Sequence, residues 1–456
     1  MTHEKTSIHG LWSSRLVFIF AAVGSAVGLG NIWKFPYITG EYGGGAFVLM
    51  YLVCISLVGI PIMVAEIMIG RRGRQSPIHA MPAVARESGA ARGWTIIGWM
   101  GALAGFLILS FYSVIAGWAM AYIGYLASGD FTGQSAEFAT SQFNSLLGSA
   151  WTLTGWHSLF MILCILVVAR GVHRGLEQSL RLMMPLLFIL LLVLVGYSLT
   201  LDSFGQGFAF LFQFNWDKLS SDAVLVAMGH SFFTLSLGLG AIMAYGAYMP
   251  RDVAIGRTVF WIAGIDTTVA LLAGLAIFPV VFANGMAPDA GPGLLFKTLP
   301  LAFGQMPGGT FFGVLFFVMV TLAAWSSAIS LLEPMVAWLV ESGHTSRPKA
   351  TVMLGFLAWL LGLGSVLSFN HWSDVTFFGK TFFDSLDFLT ANILLPLGGL
   401  LIALFVGWFM REALVRDELL GNAAPPMSYR LWRLVIAYLS PLLVLAIMAD
   451  FLFDIF

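Results

Sequence analysis

Apolar runs of about 20 residues or more, separated by short polar stretches, recur from one end of the chain to the other. A helix rises about 1.5 Å per residue, so such a run crosses the roughly 30 Å hydrocarbon core of a bilayer. The pattern predicts spans near 13–37, 43–70, 94–127, 156–171, 177–198, 222–249, 258–283, 308–339, 350–369, 388–411 and 431–455, eleven in all. No period-two alternation of a membrane β-barrel competes with them. The chain reads as an all-α polytopic membrane protein, residues 1–456 forming one transmembrane domain. Its first run lacks a signal-peptide cleavage pattern and reads as a retained helix. The stretches 199–221 and 285–307 mix turn residues with short apolar pieces and read as amphipathic lids over an outer vestibule.

Two runs are interrupted. The first carries "GSAVGLGNIWKFP" (Gly24 to Pro36) and the sixth carries "LSLGLG" (Leu235 to Gly240). An unpaired backbone N–H or C=O in hydrocarbon costs several kcal/mol, so non-helical backbone persists there only where it lines a cavity or meets a ligand. Broken helices offer N–H groups to an anion and carbonyls to a cation. The interruptions stand five spans apart. An odd offset reverses direction in the membrane, so the pattern predicts a 5+5 inverted repeat, about 10–198 and about 222–411, with helices 1 and 6 unwound and an extra helix at about 431–455. By contrast, the glycines of "GGGAF" at Gly43 read as close helix packing.

Charge adds orientation. Loops holding "RRGRQ", "RESGAAR", "ARGVHRG", "RDVAIGR", "SRPK" and "MREALVR" alternate with loops nearly free of Lys and Arg, which puts the N-terminus in the cytoplasm and predicts a multi-pass protein of the cell inner (plasma) membrane. Mean hydropathy is +0.89, with 59% apolar and 10% charged residues and a net charge of −1. No basic arm supports nucleic-acid binding; the expected partners are a small solute, ions and membrane lipid. Cys54 and Cys164 fall inside apolar runs and read as buried hydrophobes, not as a disulfide. No Ser/His/Asp set, H-E-x-x-H cluster or paired acids suggests an enzyme.

The stretches "GSAVGLGNIWKFPYITGEYGGGAFVLMYLV", "GIPIMVAEIMIGRRG", "SFFTLSLGLGAIMAYGAY" and "AAWSSAISLLEP", in this order, closely resemble the neurotransmitter:sodium symporter family, in particular its bacterial leucine and hydrophobic amino-acid transporters. The resemblance spans essentially the whole chain. It implies two sodium (Na+) sites. The first would use the Ala26 carbonyl, Asn31, Thr234, Asp266 and the substrate carboxylate. The second would use the carbonyls of Gly24, Val27 and Ala323 with the hydroxyls of Ser326 and Ser327. All these ligands are oxygens, as a hard cation requires. Where the family often has Asn, this chain has Asp266, and where chloride-dependent members have a Ser four residues later it has Ala270. Asp266 is therefore expected to supply the charge that chloride supplies elsewhere, with no chloride required.

For the substrate, the resemblance implies a carboxylate cradle at Gly28 and Gly30 with the Tyr112 hydroxyl. Monoamine-selective members carry an aspartate at the position of Gly28; glycine leaves room for an α-carboxylate. The amine would meet carbonyls near Ala26, Phe232 and Thr234 and the hydroxyl of Ser236. The side chain would lie among Ser25, Ile108, Phe233, Leu239, Ser327 and Leu331, favouring a neutral, hydrophobic L-amino acid. Lys34 and Asp387 match the outer gate, with Asp384 one turn away. Trp12, Arg15 and Glu341 match the inner one. His9 replaces the usual N-terminal Arg, an exchange expected to weaken the inner latch, with Lys5 as a substitute.

Glu66 is expected to satisfy unwound N–H groups of the first and sixth helices, whereas His230 and Glu333 have no assigned role. Gly175 and Pro185 in "GLEQSLRLMMP" resemble a motif for unwinding the inner end of the fifth helix, since proline removes one backbone hydrogen bond and glycine eases departure from the helix. The function expected is sodium-coupled symport by alternating access. The alternatives are a sodium-dependent, amino-acid-gated channel and a non-transporting sensor.

Overall fold

The glycines that interrupt the first and sixth runs do stop their helices. In the structure, a computed structural model describing residues 7–287, 293–343, 345–421 and 427–453, the first span begins at Arg15, capped by Ser14. It ends at Ala26, where Val27 turns extended (φ −70°, ψ 109°). The chain re-enters helix over Gly30–Glu41 with a bend of 63°. The sixth span is two pieces, Ser221–Thr234 and Ala241–Ala247. Between them Ser236 (φ 53°) and Gly238 (φ 75°) take the left-handed region. For serine that conformation is uncommon, and here its hydroxyl is tied to the Ser25 carbonyl at 2.8 Å, joining one break to the other.

Nine helices among the described residues are long and apolar enough to cross a membrane, and the bent first pair makes ten. The expected count of eleven is not reached on length and apolarity, because each half of the sixth span is too short to qualify. The others are Gly45–Gly73, Arg92–Ala127, Ala150–Ala169, Val172–Ser198, Ile255–Ala283, Gly309–Glu341, Arg347–Ser368, Phe382–Phe409 and Met427–Asp450. The third and eighth, Arg92–Ala127 and Gly309–Glu341, pack along each other more extensively than any other pair, and the first half of the broken span lies against the eighth and seventh. Small residues permit this closeness: a Cβ on Gly70 would sit 1.9 Å from the Met243 carbonyl oxygen, so the second span touches Ala241–Ala247 backbone to backbone.

Several connections differ from the sequence reading. Of 285–307, the described part from Leu294 to Gln305 is helical, and its residues up to Gly304 are largely buried, so it is a plug and not an amphipathic lid. Phe296 is packed among Trp118, Tyr122 and Phe143, and its carbonyl accepts the Tyr122 hydroxyl at 2.6 Å. Within 199–221, Phe204–Phe212 is a helix that buries Gly207 and Leu211 and leaves Phe208 exposed. Loops without an expected element contain the helices Pro77–Ser88, Ala136–Gly148 and Glu412–Leu420. Arg71 is buried and anchors the last of these, donating to Glu418 at 2.8 Å and to the Val253 carbonyl at 2.7 Å. Around Gly175 the fifth span is wound, with a π turn at Val172–Glu177 and Pro185 inside the following helix. Cys54 and Cys164 are buried free thiols.

Candidate functional site

Where the two breaks face the third and eighth spans, a small cavity of about 40 Å³ is lined by Ser25, Ala26, Gly28, Leu29, Gly30, Asn31, Ile108, Tyr112, Phe233, Ser236, Leu239, Ser327 and Leu331. Two residues expected in it are elsewhere. Phe232 faces a second, larger cavity and packs against Gly399, and its carbonyl accepts the Leu237 N–H at 3.1 Å, leaving it engaged within the break. Thr234 turns to the seventh span. What is expected of both is a backbone carbonyl; their side chains follow helical geometry, consecutive residues pointing about 100° apart, so the Phe232 ring faces away from the cavity that Phe233 lines. Leu29 and Asn31 line it instead. Phe233 lines both cavities, so its ring separates them.

The cavity's two ends differ. At the break of the first span the Gly28 N–H donates to Asn31 Oδ1 at 3.0 Å and the Leu29 N–H to the Tyr112 hydroxyl at 3.3 Å. A Cβ on Gly28 would lie 2.9 Å from both the Tyr112 and Ser327 hydroxyl oxygens, so only glycine leaves that corner free. The opposite wall, with Ile108, Leu239 and Leu331, is apolar.

Two oxygen clusters flank the cavity. In one, Asp266 is fully buried and its carboxylate accepts Asn31 Nδ2 at 2.8 Å and the Thr234 hydroxyl at 2.8 Å. Asn31 also reaches Thr234 Oγ1 at 3.0 Å. Three elements thereby meet on one carboxylate. In the other, the Ser327 hydroxyl donates to the Val27 carbonyl at 3.0 Å and lies 3.3 Å from that of Gly24, and Ser326 donates to the Ala323 carbonyl at 3.0 Å. The second set is all oxygen and suits a hard cation; in the first, Asp266 and Thr234 present oxygens, whereas Asn31 turns its Nδ2 to them and its Oδ1 to the Gly28 N–H. Among the described residues no group of three or more His, Cys, Asp or Glu could hold a metal ion.

Charged groups stand at both ends of the bundle. On the side away from the N-terminus no ion pair joins Lys34 to Asp387; the Lys34 ammonium sits 5.6 Å from the centre of the Phe233 ring, a cation–π contact. The expected outer pair is thus not formed in this conformation. Nor is Asp384 its substitute: it accepts the Thr381 hydroxyl at 2.7 Å and completes a capping box.

On the N-terminal side Trp12 donates its indole N–H to the Tyr245 carbonyl at 3.0 Å and its backbone N–H to that of Tyr248 at 2.8 Å. Glu341 collects the Ser76 N–H at 2.7 Å, the Ser76 hydroxyl and His79 Nδ1 at 2.9 Å, and His9 Nε2 lies 3.3 Å away without forming a hydrogen bond. The exchange of Arg for His9 leaves the N-terminal side chain 3.3 Å from the carboxylate but without a hydrogen bond to it. Lys5 lies outside the described residues. Arg15 bonds the Thr258 hydroxyl at 3.2 Å.

Sequence reasoning missed Glu177, which accepts the Ser13 hydroxyl at 2.5 Å and pairs with Arg181 at 2.8 Å, fastening the N-terminal segment to the fifth span. The i,i+4 run His173, Glu177, Arg181 was the available signal. Glu66 accepts the Gly238 N–H at 2.7 Å, serving the sixth-span break; no bond from it to the first span is present among the described residues. Glu333 accepts the Tyr248 hydroxyl at 2.7 Å and pairs with Arg347. His230 stacks on Phe35 at 5.5 Å.

Comparison with known proteins agrees on one family. The model of the Sodium:neurotransmitter symporter family matches residues 9–134 and 127–455. The uncharacterized sodium-dependent transporter YhdH of Bacillus subtilis is 40% identical over 437 residues, covering 96% of each chain. An uncharacterized sodium-dependent transporter of Haemophilus influenzae is 33% identical over 97% of this chain and 98% of its own. Among solved structures, MhsT in complex with L-phenylalanine superposes with a TM-score of 0.87 at 42% identity, covering 97% of this chain and 99% of its own.

Proposed function

The chain belongs to the sodium:neurotransmitter symporter family, and on that premise we propose that it imports neutral, hydrophobic L-amino acids with sodium by alternating access, without chloride. The observation that carries this reading is the cavity at the meeting of both helix breaks, with the Gly28 and Leu29 N–H groups, held here by Asn31 and Tyr112, at one end, apolar walls at the other, and the Asp266 carboxylate and the Ser327 cluster on its flanks. A zwitterion fits that order: carboxylate at Gly28, Gly30 and Tyr112, amine toward the carbonyl-rich break, side chain toward Ile108, Leu239 and Leu331. The phenylalanine bound in MhsT supports the substrate class.

In this scheme sodium enters from outside, one ion at Ala26, Asn31, Thr234 and Asp266 and one at Gly24, Val27, Ala323, Ser326 and Ser327. The N-terminus is cytoplasmic and the protein lies in the inner membrane. Phe233 and Lys34 close above the substrate, and the Trp12 and Glu341 contacts hold the inner side shut until the bundle rocks. Two cations moving with a neutral zwitterion draw about 4.6 kcal/mol per 100 mV of potential. A tenfold sodium gradient adds roughly 1.4 kcal/mol per ion, so accumulation is bounded near ~10⁵-fold.

Proteoliposomes loaded without sodium should take up hydrophobic amino acids against their gradient when sodium is added outside, and equally with gluconate replacing chloride. Uptake that only equilibrates would instead indicate a channel, and sodium-dependent binding without uptake a sensor. Gly28→Ala is expected to weaken substrate binding about tenfold, ~1.4 kcal/mol, and to lower thermal stability as well, since its Cβ would crowd the Tyr112 and Ser327 hydroxyls and overpacking typically costs ~1–3 kcal/mol. A calorimetric titration of both proteins measures it; unchanged affinity would remove the carboxylate from that corner.

A further inference from the structure

The cavity wall has a hidden hydrogen-bonding sense. Ser25, Ser236 and Ser327 line it, and a serine hydroxyl carries one proton to donate and two lone pairs to accept with. Where each proton goes decides what the hydroxyl still offers. Ser330, one turn beyond the cavity, donates to the Ser327 carbonyl at 2.7 Å. The Ser25 and Ser330 hydroxyl oxygens are 2.8 Å apart. Because the Ser330 proton is already placed, Ser25 is the donor in that pair. Ser236 donates to the Ser25 carbonyl at 2.8 Å, and Ser327 to the Val27 carbonyl at 3.0 Å. No serine on the wall has a proton left for a ligand, yet all keep lone pairs.

Of the three, Ser236 stands in the sixth-span break and Ser327 belongs to the oxygen cluster beside Gly24. Ser25 is left for the substrate side chain. It is 2% exposed and is held in place by its bond to Ser330. We infer that Ser25 is a specificity-determining acceptor, which makes the site favour hydrophobic amino acids whose side chain carries an N–H or O–H donor, such as an indole, over isosteres that lack it. This rests on the amino-acid reading above and narrows its substrate class. A site built to pair with a donor discriminates because its acceptor is desolvated without return when the donor is missing. By the same account a side chain that ends in an acceptor meets a lone pair and is disfavoured.

The test is sodium-dependent binding by the purified full chain of four ligands: tryptophan, 3-benzothienylalanine (sulfur in place of the indole N–H), phenylalanine and 4-pyridylalanine. Tryptophan is expected to bind about tenfold more tightly than benzothienylalanine, the worth of one buried hydrogen bond. Ser25→Ala should bring these two together, their ratio being read against phenylalanine binding by the same variant. Ser330→Ala releases the Ser25 proton and should narrow the gap between phenylalanine and pyridylalanine. Equal affinity of the parent for tryptophan and benzothienylalanine overturns the inference, as does a gap that survives Ser25→Ala. If that variant does not fold, the parent comparison and Ser330→Ala decide. Failure of all four ligands to bind in sodium would strike the amino-acid reading itself, whereas phenylalanine binding with no indole preference strikes only this one.

Discussion

Asp266→Asn is expected to lower apparent sodium affinity about a hundredfold and to leave uptake in chloride-free medium near background. The carboxylate is fully buried and is the meeting point of Asn31 from the first span and Thr234 from the sixth. An ionisable group inside a membrane span is costly and normally retained for function. Hydrogen bonds and contacts to a charged group are worth ~1.5–3 kcal/mol each, and the asparagine keeps the shape while removing the charge that offsets an entering cation. Ala270, one turn along the same helix, has no hydroxyl with which to help bind a replacement anion. The double variant Asp266→Asn/Ala270→Ser is therefore expected to regain part of its uptake, and only when chloride is present. Radiolabelled uptake at graded sodium, with and without chloride, measures both. Undiminished chloride-free transport by the single variant would sink the charge-replacement account.

Much of this architecture is legible in the sequence because its main device is local. Glycine clusters at Gly28 and Gly30 and at Gly238 and Gly240 mark where helices must stop, and the stop alone brings Asn31 and Thr234 to mid-depth. What is not legible depends on which way a side chain turns after the stop. Phe232 and Phe233 are chemically alike, and only the exit geometry of the helix sends one to the inner cavity and the other toward Gly399. The helix ending at Gln305 looks amphipathic by composition but is buried, because the aromatic cluster around Phe296 is assembled from distant spans. Lys34 and Asp387 lie far apart in sequence. Whether such a pair closes is a property of one conformation, which residue types do not encode. The bond from Ser13 to Glu177 is equally long-range.

The same distinction governs the second large effect, Glu341→Ala, which is expected to raise hydrogen exchange at the Trp12 amide about a hundredfold. That amide is bonded to the Tyr248 carbonyl at 2.8 Å, so its protection reports whether the N-terminal segment stays docked. Glu341 is nearly wholly shielded, at 2% side-chain exposure, and gathers His79 and both donors of Ser76, with His9 3.3 Å away. Removing one partner of a buried charged contact costs ~3–5 kcal/mol, of which the share falling on the docked state shifts the population toward the undocked one by about two decades. Ser76 is also the N-cap position of the helix Pro77–Ser88, its side chain bonded to Glu341 and not to that helix, so the variant disturbs the start of the helix whatever the role of the latch, and its amides serve as the internal comparison. Faster exchange across Pro77–Ser88 with Trp12 unchanged would make Glu341 a local helix acceptor and remove it from the inner closure. His9→Arg tests the opposite direction. Arginine carries a permanent charge and a planar fork that matches a carboxylate, so exchange at Trp12 should slow, and inward opening should become the slower step of uptake.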